Sequence, residues 1–298
     1  MAADATNSPA FRSLSLRATL ADNIATNDSH EAEMPPIHHV VTGNGRPPIV
    51  FVHGFACAHS DWDAQVAHLS PRHQTVAVDL RGHDLSPGTA DECSIEWYGA
   101  DVVEVIRVLD LPPAVLVGHS MGSRVVIEAA LQASDHAAGV VLVDGSQFAP
   151  AMGAILKEAL ATPDGFANLT RRWFEDMFTP KSDATVAASV VERAECLPRE
   201  IGEKVLLDLV RYDVNRLPMA LGDLRVPVMA IQTTYSNERR ERRPMIKGQT
   251  TPYMDMLRSR IPSVRIEIIP DTGHFPQIDK GARTNALIDS FITTLPTR

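Results

Sequence analysis

Six short apolar runs punctuate the chain: PPIVFVHG (47–54), QTVAVDL (74–80), PAVLVGHS (113–120), GVVLVDG (139–145), VPVMAIQ (226–232) and VRIEIIP (264–270). They are nearly continuous in Val, Ile and Leu instead of alternating with polar residues, the pattern of parallel strands covered on both faces. Helical spacing fills the intervals. In SIEWYGADVVEVIRVLDL, residues Tyr98, Val102, Val105, Ile106 and Leu109 form one stripe, and Ser94 is placed to cap its start. RVVIEAALQA follows Ser120, and TNALIDSFITTL lies near the end of the sequence. Strand–helix alternation of this kind predicts an α/β fold, with a mostly parallel central sheet and helices on both faces.

One interval breaks the rhythm. Residues 148–222 contain no strand-like run, but four helical stretches, near 150–160, 164–178, 183–195 and 199–213, punctuated by Pro163, Pro180, Pro198 and Pro218. An all-helical insertion between two strands of one sheet reads as a cap. The expected organisation is a polar, weakly patterned extension over 1–35, a core made of 36–147 and 223–298, and the helical cap or lid over 148–222. SLSLRAT (13–19) and IHHVVTG (37–43) are candidate edge strands leading into the sheet.

Composition narrows the partners. The chain has 298 residues, enough for a large core, and carries a net charge of −9. That balance speaks against nucleic acid and anionic membranes as partners. No apolar run approaches the roughly 18 residues that span a bilayer. Cys57, Cys93 and Cys196 are widely spaced and form no C-x-x-C pair, so neither a disulfide framework nor a zinc site is expected. The first residues have no apolar signal core, and Asp4 and Asp22 count against a transit peptide, which leaves a reducing, cytoplasmic location as the expectation.

The strongest chemical signal is VLVGHSMGSRVVIEAAL. An apolar strand ends in Gly118-His119-Ser120-Met121-Gly122 and a helical pattern begins at once. A serine flanked by glycines at a strand-to-helix turn is the nucleophile-elbow pattern. The glycines permit a tight turn, and the serine meets a helix N-terminus whose dipole favours developing negative charge.

On these residues the chain resembles the α/β-hydrolase fold family, specifically a serine esterase-like branch with a helical cap, over about 37–295. FVHGF (51–55) resembles the family's His-Gly-x oxyanion loop. DLRGHDLS (79–86) resembles its D-x-R-G-H-G-x-S segment, departing at Asp84, where glycine is usual. DTGHFP (271–276) resembles its terminal G-H-x-P segment. The resemblance implies His274 as the base that takes the Ser120 proton, a task suited to a group titrating near neutrality. It implies an oxyanion hole made by the backbone N–H groups of Phe55 and Met121. His53, His83 and His119 fall in motif loops, where relatives use such residues for packing or hydrogen bonds. The adjacent His38 and His39 show no obvious partner ligands, so no metal is expected.

The acid is the open question. In most relatives it follows the strand before the last, here VPVMAIQ, but TTYSNERRERRP comes next and its nearest carboxylate is Glu238. In a minority of the family the acid ends the strand after the nucleophile's helix, which here is Asp144. Both strand ends reach the same sheet edge. Asp144 is thus the candidate acid, with Glu238 or no acid as alternatives; as a plain turn residue, Asp144 would be helped by Gly145. Asp271 reads as a turn former.

Trp173, Phe174 and Phe178 in the cap, with Tyr235 and Phe275, are candidate substrate-binding residues for an apolar acyl or aromatic group. ERRERR (238–243) reads as a solvated face, or as a patch steering acidic substrates through Arg239 and Arg240. The resulting expectation is a serine hydrolase that cleaves a carboxylic ester or lactone through a Ser120-His274-Asp144 triad and an acyl-enzyme, without cofactor. Its partner would be a small molecule, and the oligomeric state is open. Carbon–carbon bond hydrolysis, perhydrolase (non-haem haloperoxidase-like) activity and a non-catalytic ligand receptor on the same fold are the alternatives. The elbow holds no aspartate, which disfavours epoxide hydrolase and dehalogenase chemistry.

Overall fold

Alternate residues of each apolar run face opposite sides of one sheet. The computed structural model describes residues 37–296; the chain divides into Met1–Pro35 and Pro36–Arg298, and the described residues lie within the second. SLSLRAT and the expected 1–35 extension fall outside the described residues. The strands are β1 (His39–Thr42), β2 (Ile49–Val52), β3 (Thr75–Val78), β4 (Ala114–His119), β5 (Ala137–Val143), β6 (Val228–Gln232), β7 (Thr234–Ser236), β8 (Arg242–Pro244) and β9 (Arg265–Ile268). Seven of them form a sheet in the order β1-β3-β2-β4-β5-β6-β9. Within it, every pairing is parallel except that of β1 with β3, which is antiparallel at the edge. IHHVVTG therefore does supply an edge strand.

The helices that cover the sheet are α1 (Asp63–Leu69), α2 (Ile95–Val108), α3 (Met121–Gln132), α9 (Pro252–Arg260), α10 (Pro276–Asp279) and α11 (Gly281–Ile292). Between β5 and β6 come α4 (Met152–Leu160), α5 (Gly165–Glu175), α6 (Ala184–Glu195), α7 (Arg199–Asn215) and α8 (Leu217–Asp223). Val50, Val52, Leu116, Val140 and Leu142 pack with α2, α3 and the inserted helices. Ile49, Phe51, Val115, Val117, Val141 and Val143 pack on the other face with Trp62, Leu69, Leu287 and Phe291. Full burial of each such aliphatic side chain contributes about 1.5–3 kcal/mol, which explains why both faces of the central strands are apolar. Ser94 caps α2, its side chain accepting from the Trp97 N–H at 3.3 Å.

Three expectations need correction. The inserted region has five helices, not four. Pro218 falls at the break between α7 and α8, opening α8 near its first position, where a missing N–H costs nothing. The last strand is half-buried along its length, because β9 is an edge strand. The stretch after β6 folds back as the β7–β8 hairpin, with Thr234 opposite Pro244 and Ser236 opposite Arg242. No helix among the described residues is long and apolar enough to cross a membrane.

Candidate active site

The two glycines around Ser120 are required by close approach. A Cβ on Gly118 would lie 2.1 Å from the Gly122 carbonyl oxygen, and one on Gly122 would lie 2.5 Å from the carbonyl oxygens of Val52 and His53. Only glycine allows the turn to nest against β2. Ser120 itself has φ 51°, a left-handed conformation that a non-glycine residue holds only under constraint from its surroundings. Its N–H donates to the Val143 carbonyl at 2.9 Å, which ties the elbow to the end of β5.

Asp144 follows β5 with φ 43°, and its N–H donates to the Ile231 carbonyl at 2.7 Å. The structure brings it to His274. His274 Nδ1 lies 2.6 Å from Asp144 Oδ2, and His274 Nε2 lies 2.8 Å from Ser120 Oγ. The carboxylate is 1% exposed and fully supplied with donors. The Thr233 and Thr234 N–H groups reach Oδ1 at 2.7 and 2.9 Å, and the Thr234 hydroxyl reaches Oδ2 at 2.6 Å. The segment in which most relatives were expected to carry the acid here supplies the donors that hold an acid from the neighbouring strand. Glu238 is exposed in the hairpin turn. Asp271, with φ 52°, occupies a turn as expected.

Burial alone would push the Asp144 carboxyl up. The hydrogen bond from His274, the charges of His274 and Arg242 and the Thr234 hydroxyl outweigh it and hold the group at about 2. His274 is lowered to about 4, first by burial and then by the Arg242 charge, against the opposing pull of Asp144. At neutral pH the ring is therefore the free base. With Nδ1–H turned to Asp144, Nε2 offers its lone pair to the serine hydroxyl.

Arg242 is the residue that sequence reasoning missed. ERRERR was expected to be solvated, and Arg239, Arg240 and Arg243 are exposed. The hairpin turns Arg242 inward, its side chain only 21% exposed. Its Nη1 donates to Thr234 Oγ1 at 2.7 Å and lies 3.1 Å from His274 Nδ1. Because Nδ1 already donates to Asp144, the arginine–histidine approach is a contact of charge, not a second hydrogen bond. A three-residue strand among charged neighbours left no periodic signal for this; only the antiparallel alternation of the folded hairpin sends Arg242 and Arg243 to opposite faces.

The candidate oxyanion residues flank the serine. Met121 begins α3 and Phe55 follows His53-Gly54 after β2. Neither N–H is taken up by a turn or loop hydrogen bond among the described residues. His53 accepts the Leu80 N–H at Nε2 (2.9 Å), and His119 Nε2 lies 2.7 Å from the His274 carbonyl. Burial, chiefly, lowers His83 to about 4 and His119 to about 3. These three rings thus serve as neutral packing and hydrogen-bonding groups. Arg124, one turn after Ser120, donates to the Ser120 carbonyl at 3.1 Å and pairs with Asp213 of α7 at 2.6 Å, joining the inserted helices to the elbow helix.

The aromatic residues divide. Phe275 is fully buried, stacked on Phe178 with centroids 5.0 Å apart and flanked by His119 at 4.9 Å and Phe174 at 6.3 Å. Phe174 is 1% exposed. Both are candidate substrate-binding residues; in the structure their faces pack on each other and on the ring of His119, filling the layer between the inserted helices and the His274 loop. Phe178 and Tyr235 are half-buried. Trp173, also half-buried, stacks on Phe148 at 6.1 Å.

A family model described as "Alpha/beta hydrolase family" matches residues 49–287. The chain belongs to the alpha/beta hydrolase family. Among curated alpha/beta hydrolase relatives, the 2-(acetamidomethylene)succinate hydrolase of Mesorhizobium japonicum is 35% identical over 135 residues, covering 45% of this chain and 46% of that one. The non-heme chloroperoxidase of Burkholderia pyrrocinia is 41% identical over 76 residues, 25% of this chain and 27% of that one. The matches thus span less than half the length of these relatives. Epoxide hydrolase 3 of Xenopus tropicalis is 25% identical over 287 residues, covering 86% and 74% of the two chains. Two solved structures share the fold. An esterase from Thermogutta terrifontis superposes with a TM-score of 0.74 at 21% identity, covering 88% of this chain and 94% of that one. The enol-lactonase from Burkholderia xenovorans does so with 0.71 at 20% identity, covering 86% and 96%.

Proposed function

We propose that this alpha/beta hydrolase is a serine hydrolase that cleaves a carboxylic ester or lactone. The observation that carries the reading is the unbroken chain of contacts from Asp144 through His274 to Ser120, with distances of 2.6 and 2.8 Å. His274 Nε2 takes the Ser120 proton as Oγ attacks the substrate carbonyl carbon. The Phe55 and Met121 N–H groups hold the resulting oxyanion, and Asp144 stabilises the imidazolium. Collapse expels the alkoxide, which receives the proton from His274, and leaves an acyl-Ser120 ester. A water deprotonated by His274 then attacks that ester, releasing the acid and restoring the serine.

The test is hydrolysis of a short p-nitrophenyl ester, together with labelling by a fluorophosphonate probe. Wild type should turn over the ester and take up the label, and Ser120→Ala should do neither. A serine that stays unlabelled in folded protein would refute catalysis and favour a ligand receptor on the same fold. The similarity to a non-heme chloroperoxidase supports a second reading, in which hydrogen peroxide replaces water at the acyl-enzyme and releases a peracid. Peracid formation from acetate and peroxide, lost in Ser120→Ala, distinguishes it.

A further inference from the structure

His38 does find partner ligands, contrary to the expectation from sequence. Its Nδ1 lies 2.8 Å from Asp79 Oδ2, and His59 Nδ1 lies 2.9 Å from the same oxygen and 3.0 Å from Oδ1. His39 turns away to the Ile37 carbonyl at 2.8 Å. The two rings of His38 and His59 have centroids 5.1 Å apart, tilted by 59°. Ligand atoms of His38, His59 and Asp79 all fall within 4.8 Å of one another. A second carboxylate stands by: Asp84 Oδ2 is 3.8 Å from His59 Nδ1.

The Asp79 side chain is fully buried, yet among the described residues its ion-pair partners are two imidazoles, not a lysine or arginine. The His59 backbone N–H also donates to Oδ1 at 2.8 Å, so donors from two separate segments converge on this one carboxylate. The two histidine side chains keep 33% and 20% exposure, so the cluster opens to solvent on the side away from Asp79. Asp84 also lines a cleft of about 350 Å³ beside Ala56 and His83.

We propose that His38, His59 and Asp79, with Asp84 as a further ligand, form a site for one first-row divalent cation of the zinc type. Two ligands each ~2.1 Å from one tetrahedral ion lie about 3.4 Å apart, so the 2.8 and 2.9 Å nitrogen–oxygen separations need open by only about half an ångström to admit a shared ion. Imidazole and carboxylate donors suit this class of metal. The ion takes the two Nδ1 lone pairs, each ring carrying its proton on Nε2 instead, and sits between the two rings and the Asp79 carboxylate. It joins three separate segments: the residue before β1, the end of β3, and the turn at His59 that follows the Phe55 loop. Binding to the folded state alone raises stability by mass action.

The test uses the full chain, stripped with a chelator and titrated with zinc by calorimetry, with melting temperature and the visible bands of bound cobalt as further readouts. One ion per chain is expected, with a higher melting temperature. His38→Gln and His59→Gln should each weaken binding by about tenfold or more and bleach the cobalt bands. His274→Ala, and His68→Gln at the exposed His68–Asp289 pair, should leave the affinity unchanged. Absence of saturable binding overturns the proposal. So does affinity that survives in both His38→Gln and His59→Gln, or that is lost in His274→Ala. Should His59→Gln fail to fold, the half-exposed His38 and Asp84 carry the test as His38→Gln and Asp84→Asn, with the same outcomes.

Discussion

Arg242 brings a positive charge to 3.1 Å from His274 Nδ1 without being able to share its proton. Removing that charge stabilises the imidazolium relative to the neutral ring, so the His274 pKa must rise. Unit charges ~4 Å apart interact by about 1 kcal/mol in water and about 4 kcal/mol at an effective dielectric of ~20. The arginine keeps 21% exposure, which places the interaction in the lower half of that interval, about 1.5 kcal/mol. At 1.36 kcal/mol per unit this is about one pH unit. The acid limb of kcat/KM reports the free enzyme's base, which the structure holds at about 4. Arg242→Gln keeps a donor for Thr234 and should move that limb up by about one unit. Arg242→Lys keeps the charge and should leave it near the wild-type position. The assay is p-nitrophenyl ester hydrolysis from acid to neutral pH, read at the isosbestic wavelength of the product. A limb that stays in place in Arg242→Gln, or moves to lower pH, would refute the electrostatic argument. A limb that moves equally in Arg242→Lys would assign the effect to geometry instead of charge.

Asp144→Asn should lower kcat by about 10³–10⁴ with the fold intact, while Glu238→Gln should leave it within about twofold; steady-state kinetics of the two variants decide which carboxylate matters. Neutralising Arg239 and Arg240 together should raise KM for acidic esters and leave neutral esters alone, and no change with acidic esters would dismiss steering by this patch. Stability should also follow pH. His83 and His119 are held neutral in the fold, at about 4 and about 3 against 6.5 as model groups, so the unfolded chain binds more protons. Their contribution is intact above about pH 6.5 and is lost as pH falls, costing about 3 kcal/mol each by pH 4. Thermal melts across that window should show a steep fall in melting temperature, and a flat profile would contradict the assignment. Asp144, lowered to about 2, adds its own loss only further down, between about 4 and 2.

Much of this was written in local pattern. Unbroken Val/Ile/Leu runs mean strands buried on both faces whatever the rest of the chain does, and Gly118 to Gly122 at a strand-to-helix junction demands a tight turn because a Cβ there has no room. Asp144 could be narrowed to a candidate because parallel strands deliver their ends to one edge. What local pattern does not contain is which long-range groups meet. That Thr233 and Thr234 would clamp the carboxylate depends on β6 lying beside β5, a register set by the packing of the whole sheet. The inward turn of Arg242 depends on a hairpin of three-residue strands, too short to leave a periodic signature among charged neighbours. Phe174 and Phe275 fit pocket wall and core alike because aromatic spacing is the same for lining and for packing, and only the inserted helices closing over the His274 loop bring them together. His38 and His59 come together at Asp79 across an antiparallel edge and a turn, contacts between distant positions that no window of sequence can see. The chain's local chemistry determined the elements and the candidate nucleophile; the tertiary structure decided the electrostatic environment, because charges act through space and not along the chain.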